Sequence, residues 1–249
     1  MAECLPVRAE NTGDVHDPVL LTRDVSMLMD TIAIEGGVAI APLDVAYAIV
    51  AQTRTGIETL FRAKNRSFDK PSGFFANADM SDEIHDLPLE KRNMIRVLIS
   101  EVRRPFSVVA PFNSHHALFS GLDPWVLQTS SKLGTLDMLL NAGAFHDEIA
   151  RQALERGRPV FGSSANTSLQ GSKYRYADIE PPVRDAATIA FDYGLSKYAN
   201  PQGRSSTIID FANFEVIRIG VAFDEIAREF LQRFGVQLAV TATTAGKGS

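Results

Sequence analysis

The sequence predicts one α/β domain, a twisted mixed sheet flanked by helices, and three observations lead there. Short apolar runs of strand length recur along the chain, and segments with apolar residues three and four apart fall between them. No internal repeat or composition break divides the series, so a single domain is expected. With 249 residues and 45% hydrophobic content, such a domain buries a core without covalent staples.

The elements follow in order. Residues 1–20 lack periodicity and the chain closes on TATTAGKGS, so flexible segments at 1–20 and 237–249 are expected around a domain at 21–236. Asp24 reads as an N-cap for a helix carrying Val25, Leu28, Met29 and Ile32 on one face, stopped by Gly36-Gly37. Residues 37–42 then read as a buried strand. A second helix fits 55–64 with Ile57, Leu60 and Phe61 inward, and a third starts near Pro88 and runs to Arg103 through Ile95, Leu98, Ile99 and Val102. Residues 73–76, 106–110, 126–128, 160–162, 188–191, 207–211 and 215–219 are strand-like, and 149–156 and 224–234 are helix-like.

Bulk composition narrows the function classes. The net charge of -5 argues against a protein that relies on non-specific attraction to phosphate backbones. Cys4 is the single cysteine, which excludes an intrachain disulfide and a cysteine-rich metal site and points to a reducing cytoplasm. Neither a membrane segment nor a secretion signal is expected, because the apolar stretches are strand-sized and the N-terminus is acidic.

Three clusters could carry chemistry. Lys64-Asn65-Arg66-Ser67-Phe68-Asp69-Lys70-Pro71 gathers three cations just past a helix end. Phosphates are natural partners, since Arg grips two oxygens at once and Lys supplies a compact charge, although such cations also complement a helix C-terminus. In Phe161-Gly162-Ser163-Ser164-Ala165-Asn166-Thr167-Ser168 an apolar strand runs into hydroxyls and an amide, at the strand end where open α/β sheets collect ligands. An ordinary Ser/Asn turn has the same composition. The third cluster is Gly203-Arg204-Ser205-Ser206-Thr207-Ile208-Ile209-Asp210, followed by Ile217-Arg218-Ile219-Gly220. Arg218, in an apolar stretch, must find a partner or face a polar cleft.

In order and spacing these clusters resemble the YrdC-like family, related to the threonylcarbamoyl-AMP synthases, whose members carry P-T-D-T-x-Y-G-L, K-x-R-x-x-x-K-P, S-A-N, S-T-x-x-D and R-x-G. The counterparts are Pro42-Leu43-Asp44-Val45-Ala46-Tyr47-Ala48-Ile49, then Lys64, Arg66, Lys70 and Pro71, then Ser164-Ala165-Asn166, then Ser206 to Asp210, then Arg218 and Gly220. The resemblance implies a YrdC-like mixed sheet and an adenylate-forming nucleotidyltransferase that joins ATP, bicarbonate and L-threonine or a related amino acid, releasing pyrophosphate. It implies an indirect link to tRNA modification. By resemblance Lys64 and Arg66 are the catalytic pair on the triphosphate, Ser164, Asn166, Ser206 and Arg218 complete the nucleotide cleft, and Mg2+ accompanies ATP without a protein-ligated metal site. Leu43, Tyr47, Lys70, Phe74, Leu136 and Arg204 line the acceptor pocket on the same ground.

The departures fall on the acceptor side. Leu43 replaces a Thr, Ala48 a Gly, and Ser72-Gly73-Phe74-Phe75 lacks the common histidine. The segment matched to V-G-x-R is Leu133-Gly134-Thr135-Leu136, which removes a bidentate carboxylate contact of about 1.5–3 kcal/mol. P-G-P-x-T is reduced to Arg104-Pro105-Phe106-Ser107-Val108.

A serine hydrolase is the enzymatic rival, but Gly162-Ser163-Ser164-Ala165-Asn166 breaks the G-x-S-x-G elbow. A non-catalytic nucleotide- or RNA-binding module is the other, prompted by Lys91, Arg92, Arg96, Arg103 and Arg104, with Glu90 and Glu101 diluting that face. His115-His116 and His146-Asp147-Glu148 lack ligand spacing for a metal.

Overall fold

A computed structural model describes residues 17–240. Cys4 and most of the two segments expected to be flexible lie outside them. The first half contains α1 (Pro18–Ile32), β1 (Val38–Ala41), β2 (Ala48–Ala51), α2 (Arg54–Ala63), β3 (Gly73–Phe75), α3 (Ala78–Ile84), α4 (Leu89–Val97) and β4 (Phe106–Pro111). The second contains α5 (Pro124–Ser130), β5 (Ser131–Lys132), β6 (Thr135–Leu140), α6 (Ala144–Glu155), β7 (Phe161–Ser164), α7 (Pro181–Arg184), β8 (Ile189–Ala190), β9 (Thr207–Asp210), β10 (Glu215–Arg218) and α8 (Phe223–Phe234).

The strands join in one mixed sheet in the order β10-β9-β4-β6-β3-β7-β2-β1-β8, with β5 paired to β6. The β1–β8, β3–β6 and β4–β9 pairs are parallel and the others antiparallel. The fold is therefore the α/β mixed sheet flanked by helices that the sequence predicts. Among the described residues no helix is long and apolar enough to cross a membrane.

Several elements differ from their sequence reading for identifiable reasons. Asp17, not Asp24, caps α1, accepting from the Val19 and Leu20 amides, with Pro18 at the first helical position. Asp24 lies buried within the helix, where its carboxylate accepts from the Tyr193 hydroxyl at 3.0 Å. The apolar face is nonetheless the expected one, for Val25, Leu28, Met29 and Ile32 are all buried.

The helix read to Arg103 is α4 up to Val97 and a π turn from Leu98 to Val102, closed by Arg103 in the left-handed region. Residues 126–128 belong to α5 rather than to a strand: Asp123 caps the Trp125 amide and Pro124 starts the helix. At the other end Leu238 is buried and Ala239 bridges Glu215.

Alternation on the central strands separates two faces. On β4 and β6, Phe106, Val108, Ala110, Leu136, Met138 and Leu140 enter the core. Ser107, Val109, Thr135, Asp137 and Leu139 have the opposite parity and line a cavity of about 540 Å³. α6 lies next to that face, its buried His146 ring 5.2 Å from Phe75.

Candidate functional site

The cation cluster begins where α2 ends. Lys64 is its C-cap, and Asn65, in the left-handed region at φ 48°, turns the chain so that Lys64 and Arg66 take different directions. Lys64 is 1% exposed, and its ammonium donates to the Ser164 carbonyl and to the Asn166 carbonyl at 2.6 Å. The Ser168 amide returns a bond to the Lys64 carbonyl at 2.9 Å. Lys64 thus fastens the turn after β7 from beneath and does not line the cavity. Burial, then the neighbouring Arg66 charge, push its ammonium down to about 7, with Glu180 pulling the other way.

Arg66 does reach the cavity. Its guanidinium donates to the Pro71 carbonyl at 2.7 Å, the Lys70 carbonyl at 3.2 Å and Ser163 Oγ at 3.3 Å, and it lies 5.8 Å from the Phe61 ring centre. Only the backbone of Lys70 takes part, since its side chain is exposed and outside the cavity lining.

Arg218 enters from the opposite side. The β9–β10 register slips between Val216 and Arg218, and such a bulge re-aims the side chain beyond it. Its guanidinium grips the Ser206 carbonyl at 2.8 and 3.1 Å and Ser206 Oγ at 3.0 Å, while Ser206 Oγ lies 3.3 Å from Ser107 Oγ. Burial lowers Arg218, and it lowers Arg66, to which Arg218 adds a like-charge push. Both arginines line the same cavity.

Asp137 stands on β6 in that space. Its neighbours across the sheet are Val109 on β4 and, by the β3–β6 register, Gly73, so no bulky side chain covers it. One carboxyl oxygen is shielded from solvent and has no protein partner. Burial raises the carboxyl to about 6, against the pull of Arg218, the Ser107 hydroxyl and Arg66. Asp210, two strands away in the same row, also lines the cavity.

The other expected residues divide. Ser164 and Ser206 line the cavity; Asn166 supports it, accepting from Ser164 Oγ at 2.5 Å and donating to the Thr167 carbonyl at 2.6 Å. Leu43 and the Tyr47 ring line it too, but the Tyr47 hydroxyl is committed to Asp192 Oδ1 at 2.7 Å and the Gly194 carbonyl at 2.8 Å. Burial, then Asp192, push that phenol up.

Phe74 and Leu136 need correction as lining residues, because both are fully buried on the core face and their neighbours Phe75, Thr135 and Asp137 face the cavity. Arg204 lies outside the lining, and its carbonyl receives the Tyr174 hydroxyl at 2.7 Å. Leu133-Gly134 is the tip of the β5–β6 hairpin, with both residues at positive φ, and so does not align with a strand. Thr135, Asp137 and Leu139 are the β6 positions that face inward, and none is cationic.

Four of the five basic residues that suggested a nucleic-acid face make hydrogen bonds or ion pairs within the fold. Lys91 donates to the Phe211 and Ala212 carbonyls at 2.5 and 2.8 Å, Arg96 pairs with Asp82, Arg104 pairs with Glu225 at 2.7 Å, and Arg103 donates to the Ser100 carbonyl at 3.0 Å. Among the described residues no three His, Cys, Asp or Glu side chains gather to hold a metal ion.

Comparison with known proteins places the fold. A model of the Sua5/YciO/YrdC family, described as telomere recombination, matches residues 32–220. The chain belongs to the Sua5/YciO/YrdC family. Sua5 of P. abyssi, solved with L-threonine, superposes with a TM-score of 0.69 at 16% identity, over 95% of this chain and 63% of that one. A hypothetical protein from Streptococcus mutans UA159 gives 0.65 at 17%, over 85% and 92%, and E. coli YciO gives 0.58 at 14%, over 81% and 88%. At these identities the shared property is the Sua5/YciO/YrdC fold. The chain spans just under two thirds of that Sua5. No curated protein sequence matches it.

Proposed function

We propose that this protein is an ATP-dependent, adenylate-forming enzyme of the threonylcarbamoyl-AMP synthase type. The observation that carries the reading is the convergence of Arg66 and Arg218, each already oriented by backbone carbonyls, on one cavity of about 540 Å³ edged by serine hydroxyls. Fixed guanidiniums cost little to orient when charge moves onto a leaving pyrophosphate, so they favour the transition state over the bound nucleotide. Cavity volume also falls in the range of about 300–1,000 Å³ common for small-molecule sites.

In this reading Arg66 and Arg218 hold the phosphates, Ser163, Ser164 and Ser206 supply neutral donors, and Lys64 positions the turn that carries Ser164. Magnesium accompanies the triphosphate and screens its charge; Asp210, which lines the cavity two strands from Asp137, is the protein group available to its water shell. A carboxylate or carbamate oxygen attacks the α-phosphorus, the bond to the α,β-bridging oxygen breaks and pyrophosphate leaves, while the cavity aligns the nucleophile and excludes water. Bicarbonate and an amino acid are the family-type source of that anion, and a tRNA-modification role stands or falls with L-threonine.

A second reading, nucleotide binding without synthesis, is favoured by the missing cation on the inward face of β6. The test is pyrophosphate release from ATP and bicarbonate across amino acids, amines and small acids, with calorimetric ATP binding alongside. Turnover lost in Arg66→Ala and Arg218→Ala supports the enzyme; ATP binding with no turnover for any acceptor supports the binding module; no ATP binding defeats both.

A further inference from the structure

The cavity has an apolar wall besides its arginines. It is made by Leu43, Val45, Phe75, Val109, Leu139 and Ile208, and the sheet register sets Ile208, Ser107, Leu139 and Phe75 side by side across four strands. Gly162 keeps this end open and fixed in shape, since a Cβ there would stand 2.9 Å from Phe75 Cε2. At the mouth, Leu133 is 95% exposed and Ile217 44% exposed, and both line the cavity. Asp137, on the same strand as Leu139, also lines the cavity and has an unpartnered carboxyl oxygen.

Resting on the adenylate-forming reading, we infer that the acceptor is an uncharged apolar body carrying a single carboxylate-type nucleophile, and that Leu139, Phe75 and Asp137 select it. The nucleophilic end lies toward Arg66 and Arg218, and the hydrocarbon lies on the Leu43–Phe75–Leu139 wall. A second carboxylate held on that wall would meet apolar carbon and the Asp137 carboxylate and would lose its hydration without compensation, since Lys132, the remaining cation of the lining, is an exposed side chain on β5. N-carboxy-threonine carries two carboxylates; the carbamate of an alkylamine, or an alkanoate, carries one.

The two sources share the same transfer. An alkanoate oxygen bonds to the α-phosphorus of ATP, the bond from that phosphorus to the β-bridging oxygen breaks, and its electron pair leaves with pyrophosphate, giving an acyl adenylate. An alkylamine first condenses with bicarbonate, RNH2 + HCO3⁻ → RNHCOO⁻ + H2O, and the carbamate oxygen attacks in the same way.

The experiment is calorimetric titration of the full chain, saturated with a non-hydrolysable ATP analogue, with propanoate, butanoate and hexanoate, with pentylamine plus bicarbonate, and with L-threonine plus bicarbonate. Pyrophosphate release from ATP is measured for the same compounds. Affinity is expected to rise by up to about fourfold per added methylene. The preferred arm, alkanoate or amine, should exceed L-threonine by at least about tenfold, the range expected when a charged group is buried unpaired.

Leu139→Asn is expected to flatten the methylene series, while Asp137→Asn narrows the gap to L-threonine. The methylene series on the unaltered chain needs no variant to fold. A flat series, or L-threonine equal to or better than hexanoate and pentylamine, overturns the inference. A flat series with intact analogue binding leaves the nucleotide reading standing, whereas a steep series on a chain that does not bind the analogue defeats the nucleotide reading and keeps the apolar pocket.

Discussion

Lys64 offers the most demanding test of the site's construction. Its ammonium is buried with the Ser164 and Asn166 carbonyls as acceptors, and burial with the Arg66 charge lowers it from 10.5 to about 7. A neutral amine keeps two N–H donors, so both carbonyls remain satisfied after deprotonation. In the unfolded chain the lysine holds its proton up to its ordinary value. Between the two values the unfolded state therefore binds more protons than the folded one, and stability rises with pH.

Using about 7 and 10.5, the folded state gains about 2 kcal/mol between about pH 7 and pH 9 from this group alone. Lys64→Met fills the space without a titrating group. The measurement is urea unfolding of both proteins across that range, taking the difference in stability so that all other titrations cancel. The wild-type advantage is expected to grow by about 2 kcal/mol with pH. A difference that is flat, or shrinks as pH rises, shows that the ammonium is not paying a desolvation penalty and refutes the reasoning.

Further expectations follow from the same geometry. Arg66→Ala and Arg218→Ala should each weaken ATP binding by roughly 10- to 100-fold in calorimetry, the loss of one charge-assisted contact of about 1.5–3 kcal/mol, and Arg218→Lys should not restore it because the single nitrogen of an ammonium cannot reproduce the planar fork by which Nε and Nη2 grip Ser206. ATP affinity should fall as pH rises through about 6, where Asp137 ionises beside the arginines, and this dependence should be weaker in Asp137→Asn, the difference cancelling the nucleotide's own titration. Because that carboxyl is raised in the fold, its contribution to stability is full below 3.8 and is lost as pH rises through about 6. Gly162→Ala should lower stability by about 1–3 kcal/mol in thermal unfolding, since its Cβ would stand 2.7 Å from the Ile49 carbonyl oxygen and from Val50 Cγ1, and the backbone oxygen cannot yield.

Periodicity and motif order were sufficient for much of this protein. The faces of α1, α2 and α8 follow from three- and four-residue spacing, since burying an apolar stripe is a local demand that any compact partner satisfies. Arg66, Ser164, Ser206 and Arg218, all of which line the cavity, stand out in the sequence because cations and hydroxyls at strand and helix ends are chemically conspicuous. β6 is absent from the strand-like runs because its segment follows the hairpin tip Leu133-Gly134, and matching V-G-x-R across that tip places Leu136 in the pocket. Read with a period of two from Thr135, the same six residues expose Asp137 as an acid on an apolar strand, so the signal was present.

Tertiary structure alone decided what each polar group meets. Nothing local distinguishes Lys64 from Arg66, two positions apart, yet the left-handed turn at Asn65 sends one under β7 and the other into the cavity. The charge environment of Asp137 comes from Arg66, Ser107 and Arg218, which lie 71, 30 and 81 positions away in the chain. Composition and spacing determine which surfaces must be buried, because that requirement belongs to each segment. Partnership, protonation and the apolar wall of the cavity depend on which strands become neighbours, and only the assembled sheet settles that.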